Sequence, residues 1–393
     1  MQLYLRSILL VFICALAVST ARAASAVPFA QSVPATPGFC DAQSDPGWFK
    51  QHAKPRYARG FEVSYGHRTK RVVVKQPWKG AAQEFVYTLV CPGVALEAVA
   101  GQRSVQIPTR RMAALSTTYM GQIALLRAEA RLAGVKNPEL VQTESVKERL
   151  ADGRILGLGS GAAVDVERLV RLEPDLVMTF AMGDPTSDLH PAIERLRLPV
   201  VLNGEYLETT PLGRAEWIMF LAYFLDQERE AAEIFSAVER EYLRLSDLTR
   251  AVRGPRPTVM GGSPYGDTWW VPGGDGYIGT LFRDAGGEYI FADKHETVSV
   301  ALQFEAVLRR GAAAQVWIMD NADPQQLAQH EPRIRHFASV RTGEIYSARA
   351  RADYWESGLA NPHVLLADTL RVLHPQLLPT HELQFLRRSP ITP

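Results

Sequence analysis

The sequence predicts an α/β protein with two parallel-sheet α/β lobes, a single long helix between them and a small N-terminal β appendage. Apolar strand-like runs alternate with amphipathic helical runs in two series, residues 107–225 and 255–381, as is typical of parallel sheets covered by helices. Between the series, residues 226–254 place apolar side chains at steps of three and four, and no Gly or Pro occurs before Gly254. That spacing predicts one amphipathic helix of about 25 residues joining the lobes.

The residues outside the two series are predicted to be an export signal, a leader with the appendage, and a tail at 382–393. Residues 1–23 combine Arg6, an apolar run over residues 8–18 and the small residues Ala21 and Ala23, the pattern of a signal peptide cleaved near Ala23. The run is shorter than a membrane span of about 20 residues, so we expect a periplasmic protein; a buried N-terminal helix is the alternative. Residues 24–106 begin with a stretch rich in Ala, Ser and Pro. They continue with β-branched and aromatic runs between turn residues, which predict a small antiparallel sheet.

The composition bears on the partners and on metal binding. Lys and Arg number 43 against 42 Asp and Glu, so no basic excess indicates nucleic-acid binding. The 9 histidines are scattered, without a pair at the spacing of a helical metal clamp, and we expect no metal site and no resident cofactor. Cys40 and Cys91 remain after export, and in an oxidising compartment they predict one disulfide; two free buried thiols are the alternative.

Two segments of the chain share one pattern, "VERLVRLEPDLVMTF" in the first series and "FEAVLRRGAAAQVWIMD" in the second. Each has a glutamate at the start of a short amphipathic helix, followed by an apolar strand. The glutamates are Glu167 and Glu305. A carboxylate in the first turn is favoured by the helix dipole, by about 0.3–1 kcal/mol, which accounts for either one alone. As a matched pair, one in each lobe, they suggest a shared role.

The segments "VDVERLVRLEPDLVMTF", "VSVALQFEAVLRRGAAAQVWIMD" and "HVLLADTLRVLHPQLLP", with the long helix between lobes, resemble the substrate-binding proteins of ABC importers for iron complexes and cobalamin. The resemblance covers residues 108–381 and leaves out the appendage. It implies a monomer that captures a metal chelate between its lobes and delivers it to an ABC permease dimer. It also implies that Glu167 and Glu305 dock into arginine-lined pockets of the two permease subunits.

Candidate ligand contacts come from loops, because open α/β sheets bind ligands beyond the carboxyl ends of their strands. Clustered aromatic rings in such loops suit a large, flat ligand such as a corrinoid or an aryl-bearing siderophore; packing at a lobe rim is the alternative. The candidates are Ser116, Thr117, Tyr119, Ser160, Phe180, Tyr265, Trp269, Trp270, Tyr354 and Trp355.

Two other functions remain open at the level of sequence. The protein could present its ligand to a membrane sensor instead of an importer. It could also be an exported enzyme, but the motifs argue against this. "GLGSGAA" lacks the glycine spacing of a dinucleotide site,, and "GGSPYG" lacks that of a nucleophile elbow,. We therefore expect a binding protein and no catalytic residue.

Overall fold

The computed structural model describes residues 26–41, 43–94, 103–184, 186–266, 268–319, 323–349 and 351–392. The predicted signal peptide lies outside the described residues, as do Asp320 and Asn321, which follow a predicted strand of the second series. Within the described part, no helix is both long enough and apolar enough to cross a membrane.

The leader and appendage form one helix and a four-stranded sheet. Their elements are α1 (Pro46–His52), β1 (Phe61–Tyr65), β2 (Thr69–Val74), β3 (Phe85–Val90) and β4 (Arg103–Gln106). Strands β1, β2 and β3 are antiparallel neighbours as predicted, but β4 pairs parallel to β3. Parallel pairing requires a crossover connection that a hairpin turn cannot provide.

The first lobe is a five-stranded parallel sheet in the order β7-β6-β5-β8-β9. Its elements are β5 (Met112–Ala114), α2 (Met120–Leu125), β6 (Leu132–Val135), α3 (Glu144–Ala151), β7 (Leu156–Gly157), α4 (Val166–Arg171), β8 (Leu176–Thr179), α5 (His190–Arg195), β9 (Val200–Leu202), α6 (Pro211–Ala215) and α7 (Trp217–Leu225). Short 3-10 helices cover Thr117–Tyr119, Glu129–Arg131, Pro138–Leu140 and Glu205–Leu207. Every side chain of α7 is buried, so this helix lies inside the lobe and not on its surface.

The linking helix α8 spans Glu228–Leu248 and is extended by a 3-10 turn over Thr249–Ala251. It starts later than the apolar pattern suggests because Asp226, at φ 60°, ends α7 in a left-handed conformation. One face of α8 is buried, with Ala231, Ile234, Phe235, Val238, Tyr242 and Leu245. The predicted amphipathic spacing therefore corresponds to the face that packs against α7 and the last long helix.

The second lobe holds two sheets. Its elements are β10 (Thr258–Gly261), β11 (Ser263–Tyr265), β12 (Thr268–Val271), α9 (Tyr277–Asp284), β13 (Glu288–Tyr289), β14 (Val300–Leu302), α10 (Phe304–Gly311), β15 (Val316–Met319), α11 (Pro324–His330), a 3-10 helix (Pro332–His336), α12 (Ala338–Thr342), β16 (Ile345–Ala348), α13 (Arg351–Tyr354), α14 (Ser357–Ala360), α15 (Pro362–Leu373) and β17 (Leu386–Arg388). The main sheet has the order β13-β10-β15-β16-β17, and the smaller sheet has the order β11-β12-β14.

Two segments of the second lobe differ from the sequence-based expectation. The stretch "SPYGDTWW" contributes β11 and β12 of an antiparallel sheet and is not a simple loop. The predicted tail contains β17, which pairs antiparallel with β16 at the edge of the main sheet. The tail is held there because the buried Asp368 carboxylate accepts backbone N–H bonds from Gln384, Phe385 and Leu386.

The appendage is packed firmly on the first lobe. The Lys70 ammonium is fully buried, 2.8 Å from Asp226 Oδ1, and it also pairs with Glu228 at the start of α8. The ring of Phe61 lies 4.7 Å from that of Trp217 in α7. Cys40 of the leader is bonded to Cys91, which directly follows β3. The leader, the appendage, α7 and the start of α8 thus form one packed unit.

The first prediction concerns pH. Burial raises the pKa of the Glu228 carboxyl from 4.5 to about 7, against the opposing effect of Lys70. A raised carboxyl pKa gives a stabilising contribution that is complete below about pH 4.5 and is lost as the pH rises to about 7. We expect Glu228→Gln to reduce the fall in unfolding free energy across this window by up to about 3 kcal/mol. Urea denaturation at several pH values measures it.

The exposed Glu233 lies on the same helix, and Glu233→Gln is the matched control that should leave the pH profile unchanged. A Glu228→Gln protein with the wild-type profile would contradict the assignment of this pH dependence to Glu228.

The second prediction concerns the disulfide. Cys40 and Cys91 are separated by 51 positions, and closing a loop of that length restricts the unfolded chain, which is worth about 4 kcal/mol in the chain-entropy account. We expect Cys40→Ser/Cys91→Ser to lower the unfolding free energy by up to that amount in urea denaturation. Reductant should destabilise the wild type similarly and leave the variant unaffected. A variant with the wild-type unfolding free energy would rule out a stabilising role for the bond.

Candidate functional site

A cavity of about 240 Å³ lies between the lobes. The second lobe contributes most of its wall, at the carboxyl ends of β10 and β15 and along the start of α9, which is where open α/β sheets bind ligands. The residues that line it are Tyr206, Arg214, Gly262, Trp270, Pro272, Gly273, Gly276, Tyr277, Ile278, Phe282, Thr297, Val298, Ser299, Ile318, Met319, Tyr354 and Trp355.

Arg214 is the cationic group of this cavity. It lies on α6, whose start is fixed by the Thr210 side chain, which accepts a hydrogen bond from Gly213 N at 3.0 Å. The guanidinium forms a buried ion pair with Glu205. It also lies 5.3 Å from the ring centre of Tyr277 and 5.5 Å from that of Trp355, within the range of cation–π attraction. The cavity therefore holds an arginine whose position is set by a carboxylate and two aromatic rings.

Two buried tyrosines lie in this region of the fold, Tyr277 beside the arginine and Tyr119 in the first lobe. Among the described residues, Tyr277 Oη and Tyr119 Oη have no hydrogen-bond partner. Burial raises the pKa of Tyr277, and burial together with the nearby Glu205 and Tyr206 raises the pKa of Tyr119. Both hydroxyls thus stay protonated at neutral pH and can donate hydrogen bonds. Buried polar groups normally have a partner, so Tyr277, which lines the cavity, is a candidate for contact with an anionic ligand.

Exposed apolar side chains surround the cavity on both lobes. Phe180 and Met182 follow β8 in the first lobe, and Tyr265 and Trp270 belong to the β11–β12 hairpin of the second. The Phe180 ring lies 6.4 Å from that of Tyr206, which lines the cavity. Large exposed apolar groups around a concave site indicate a surface that a ligand covers.

Of the residues proposed from sequence, Trp270, Tyr354 and Trp355 line the cavity. Trp269 is corrected to a core residue, since it is 1% exposed whereas Trp270 is 42% exposed. Its ring packs 5.5 Å from that of Trp317. The reason is the alternation of a strand, which points neighbouring side chains to opposite faces.

The remaining candidates of the first lobe do not line the cavity. Ser116 caps the 3-10 helix Thr117–Tyr119 by accepting a hydrogen bond from Thr118 N at 3.3 Å, and Ser160 donates to Glu139 at 2.9 Å. Tyr119 is buried, and Phe180 lies outside the cavity wall. Tyr265 of the second lobe also lies outside this wall. Ser116 thus has a partner within its own loop, and Ser160 has one in the 3-10 helix that follows β6.

The sequence reasoning missed Arg214 and Tyr277. Arg214 is the one charged residue of the run "PLGRA" that forms α6, and a charge inside a buried helix is a signal that could have identified it. Tyr277 follows the glycine-rich "PGGDG" and begins α9.

Glu167 and Glu305 both lie exposed in the first turn of their helices, α4 and α10. Each helix leads into a strand of a parallel sheet, so both glutamates lie towards the edge where the carboxyl ends of the strands are found. Glu305 is 3.2 Å from Arg333, and the pKa of Glu305 is lowered by a hydrogen bond from its own backbone N–H and by this arginine. Both carboxylates are therefore exposed, and that of Glu305 is paired with Arg333.

No metal centre is formed by protein side chains in the part of the chain that the structure describes. His, Cys, Asp and Glu residues do not gather there in groups of three or more that could hold a metal ion.

Two α/β lobes that meet at an aromatic cavity define a two-lobed binding architecture. In agreement with this, a family model described as periplasmic binding protein matches residues 112–352, which is more than half of the chain. The chain therefore belongs to the periplasmic binding protein family. The match begins after the leader and the appendage.

Individual relatives are distant. An uncharacterised lipoprotein of Methanocaldococcus jannaschii is 25% identical over 283 residues, covering 69% of this chain and 67% of the relative; a second lipoprotein of that organism is matched over 64% of its length. A periplasmic binding protein from Veillonella parvula superposes with a TM-score of 0.57 at 12% identity, covering 78% of this chain and 98% of that one. A periplasmic heme binding protein from Pseudomonas aeruginosa gives 0.55 at 16% identity, covering 68% and 94%. These solved structures share the fold.

Proposed function

We propose that this protein is an exported substrate-binding protein that captures an anionic metal chelate between its lobes and delivers it to an ABC importer. The observation that carries the proposal is Arg214, held in the interlobe cavity between the rings of Tyr277 and Trp355. A guanidinium within aromatic walls suits a ligand that is flat, largely apolar and negatively charged at one edge.

The chemistry of the cavity narrows the ligand class. The unpartnered hydroxyl of Tyr277 adds a donor to the Arg214 cation in the cavity wall, and this favours carboxylate or other anionic oxygen groups. Ferric siderophores and haem have such oxygens beside a large apolar or aromatic body. The Pseudomonas aeruginosa protein, described as heme binding, shares the fold and supports testing haem first.

The size of the cavity indicates that the lobes separate to admit the ligand. Its volume of about 240 Å³ is below the roughly 300–1,000 Å³ of pockets for drug-sized molecules. We infer a rocking movement about the stiff helix α8, because a long packed helix between lobes favours small rigid-body changes over a wide hinge. The ligand leaves unchanged, so no catalytic residue is assigned.

The third prediction tests ligand capture by tryptophan fluorescence. Trp270 and Trp355 line the cavity, so a bound ligand that absorbs near their emission should quench them. We titrate haemin, a ferric hydroxamate, a ferric catecholate and cobalamin. For the probe that binds, Arg214→Gln should weaken affinity by about 10- to 100-fold, the value of a charge-assisted hydrogen bond.

Controls separate lost recognition from a disturbed fold. Arg195→Gln changes an exposed arginine of the same lobe and should leave affinity unchanged. Glu205→Gln/Arg214→Gln removes both buried charges together and should still bind weakly while unfolding near the wild-type midpoint. Equal affinity in Arg214→Gln and wild type would refute the role of this arginine, and the absence of quenching by every probe would refute the ligand class.

The fourth prediction tests delivery. Glu167 and Glu305 lie exposed, one on each lobe, and the pair could anchor the protein to two permease subunits through charge-assisted bonds. We expect Glu167→Lys/Glu305→Lys to abolish uptake of the bound chelate by cells while leaving its affinity for the purified protein unchanged.

The control for delivery is Glu173→Lys/Glu288→Lys, which changes the net charge equally on the same two lobes at exposed positions. These residues precede or begin the strands β8 and β13 and so lie towards the opposite, amino-end edge of each sheet. Uptake should persist in this variant. Normal uptake of the chelate by the Glu167→Lys/Glu305→Lys variant would eliminate the docking role. If both variants are exported and neither supports uptake of the chelate, the result would point to a membrane sensor as the partner instead.

A further inference from the structure

The appendage reaches the ligand cleft through the loop of residues 75–84, which joins β2 to β3. The indole of Trp78 packs so closely on Gly183, in the cleft loop after β8, that a Cβ at this glycine would lie 2.4 Å from the ring. The same indole lies 5.9 Å from the rings of Phe85 and His190. The carbonyl of Gln76 lies beside Gly204, in the loop after β9. The loop is therefore fixed to the first lobe.

From this position the loop crosses to the second lobe. Lys79 Nζ lies 2.9 Å from Glu296 Oε2, and Glu296 immediately precedes Thr297, Val298 and Ser299, which line the cavity. The appendage thus touches the second lobe at the edge of the ligand site.

The backbone of Glu296 also contacts the glycine turn before α9, which forms another part of the cavity wall. Its carbonyl accepts a hydrogen bond from Asp275 N at 3.2 Å. A Cβ at Gly273, itself a wall residue, would lie only 2.1 Å from that carbonyl oxygen. A force on the Glu296 side chain is therefore transmitted to the glycine turn that precedes α9 and Tyr277.

We propose that loop 75–84 is an interlobe latch, in which Lys79 holds Glu296 and so favours the closed arrangement of the cleft. The latch is specific to the appended region. The family match covers residues 112–352 and so begins after loop 75–84. The proposal concerns movement of the lobes and does not depend on which ligand is carried.

The latch is weak enough to open. The side chains of Lys79 and Glu296 are 61% and 51% exposed, and exposed ion pairs change an equilibrium by at most about fivefold. Contacts with a ligand can therefore outweigh the ion pair, whether they favour the open or the closed cleft. Salt should weaken the pair because exposed charges are screened.

Spin labels on the two lobes test the proposal without any ligand. Arg171 on α4 and Arg309 on α10 are both exposed. In a Cys14→Ser background, Arg171→Cys and Arg309→Cys therefore provide the two labelling sites. Double electron–electron resonance then measures the distance between lobes. We expect Lys79→Glu to raise the ratio of long to short distances by up to about fivefold, and Lys79→Glu/Glu296→Lys to restore the wild-type distribution.

The matched control is Lys75→Glu. Lys75 is in the same loop but pairs with Glu62 of the appendage itself, so its reversal should leave the distance between lobes unchanged. In 1 M salt, where the screening length is about 3 Å, the wild type should resemble Lys79→Glu. The latch would be overturned by a Lys79→Glu distribution equal to that of the wild type or of Lys75→Glu, or by a charge swap that restores nothing.

Discussion

The buried ammonium of Lys70 is the contact on which the arrangement of the N-terminal half depends. It lies on β2 of the appendage and pairs with Asp226 and Glu228, the residues at which α7 ends and the linking helix begins. Asp226 also accepts a backbone hydrogen bond from Cys40 of the leader at 3.0 Å. Because a buried charge without its partner is costly, these four segments must stay together. The appendage is thus fixed to the first lobe where the linking helix begins.

The periodicity of the sequence was sufficient to predict the fold because most elements bury one face. The parallel strands, the linking helix and the two series of alternating elements follow from spacing alone. Helix α7, "WIMFLAYFL", was not predicted because it is buried on every side, and a uniformly apolar segment has no periodicity to detect. The edge strand β17 was assigned to a tail because its position depends on hydrogen bonds from residues 384–386 to Asp368, a contact between distant parts of the fold.

The candidate site was predictable in its aromatic part and not in its charged part. Loop position and ring content led to Trp270, Tyr354 and Trp355, whereas neighbouring Trp269 was misassigned because the strand β12 was taken for a loop. Arg214 became a candidate only when the fold placed α6 beside Tyr277 and Trp355. A lone arginine in a short helix carries no spacing signal, so its role depends on tertiary neighbours that the sequence does not specify.

The residues of the cavity wall do not divide between the two lobes in the order in which they occur along the chain. Tyr354 and Trp355 lie in the second series, yet the adjacent Glu356 accepts hydrogen bonds from Gln142 N at 3.0 Å and from Thr143 in the first lobe. Helix α14, which follows, packs against α2 and α6 of that lobe. Arg214 and Trp355 therefore belong to one packed group, and this group also meets Tyr277 because α6 packs against α9. In the proposed rocking movement, a ligand would first contact Arg214 and Trp355 and then be covered by Trp270 and Thr297 of the second lobe as the cleft closes.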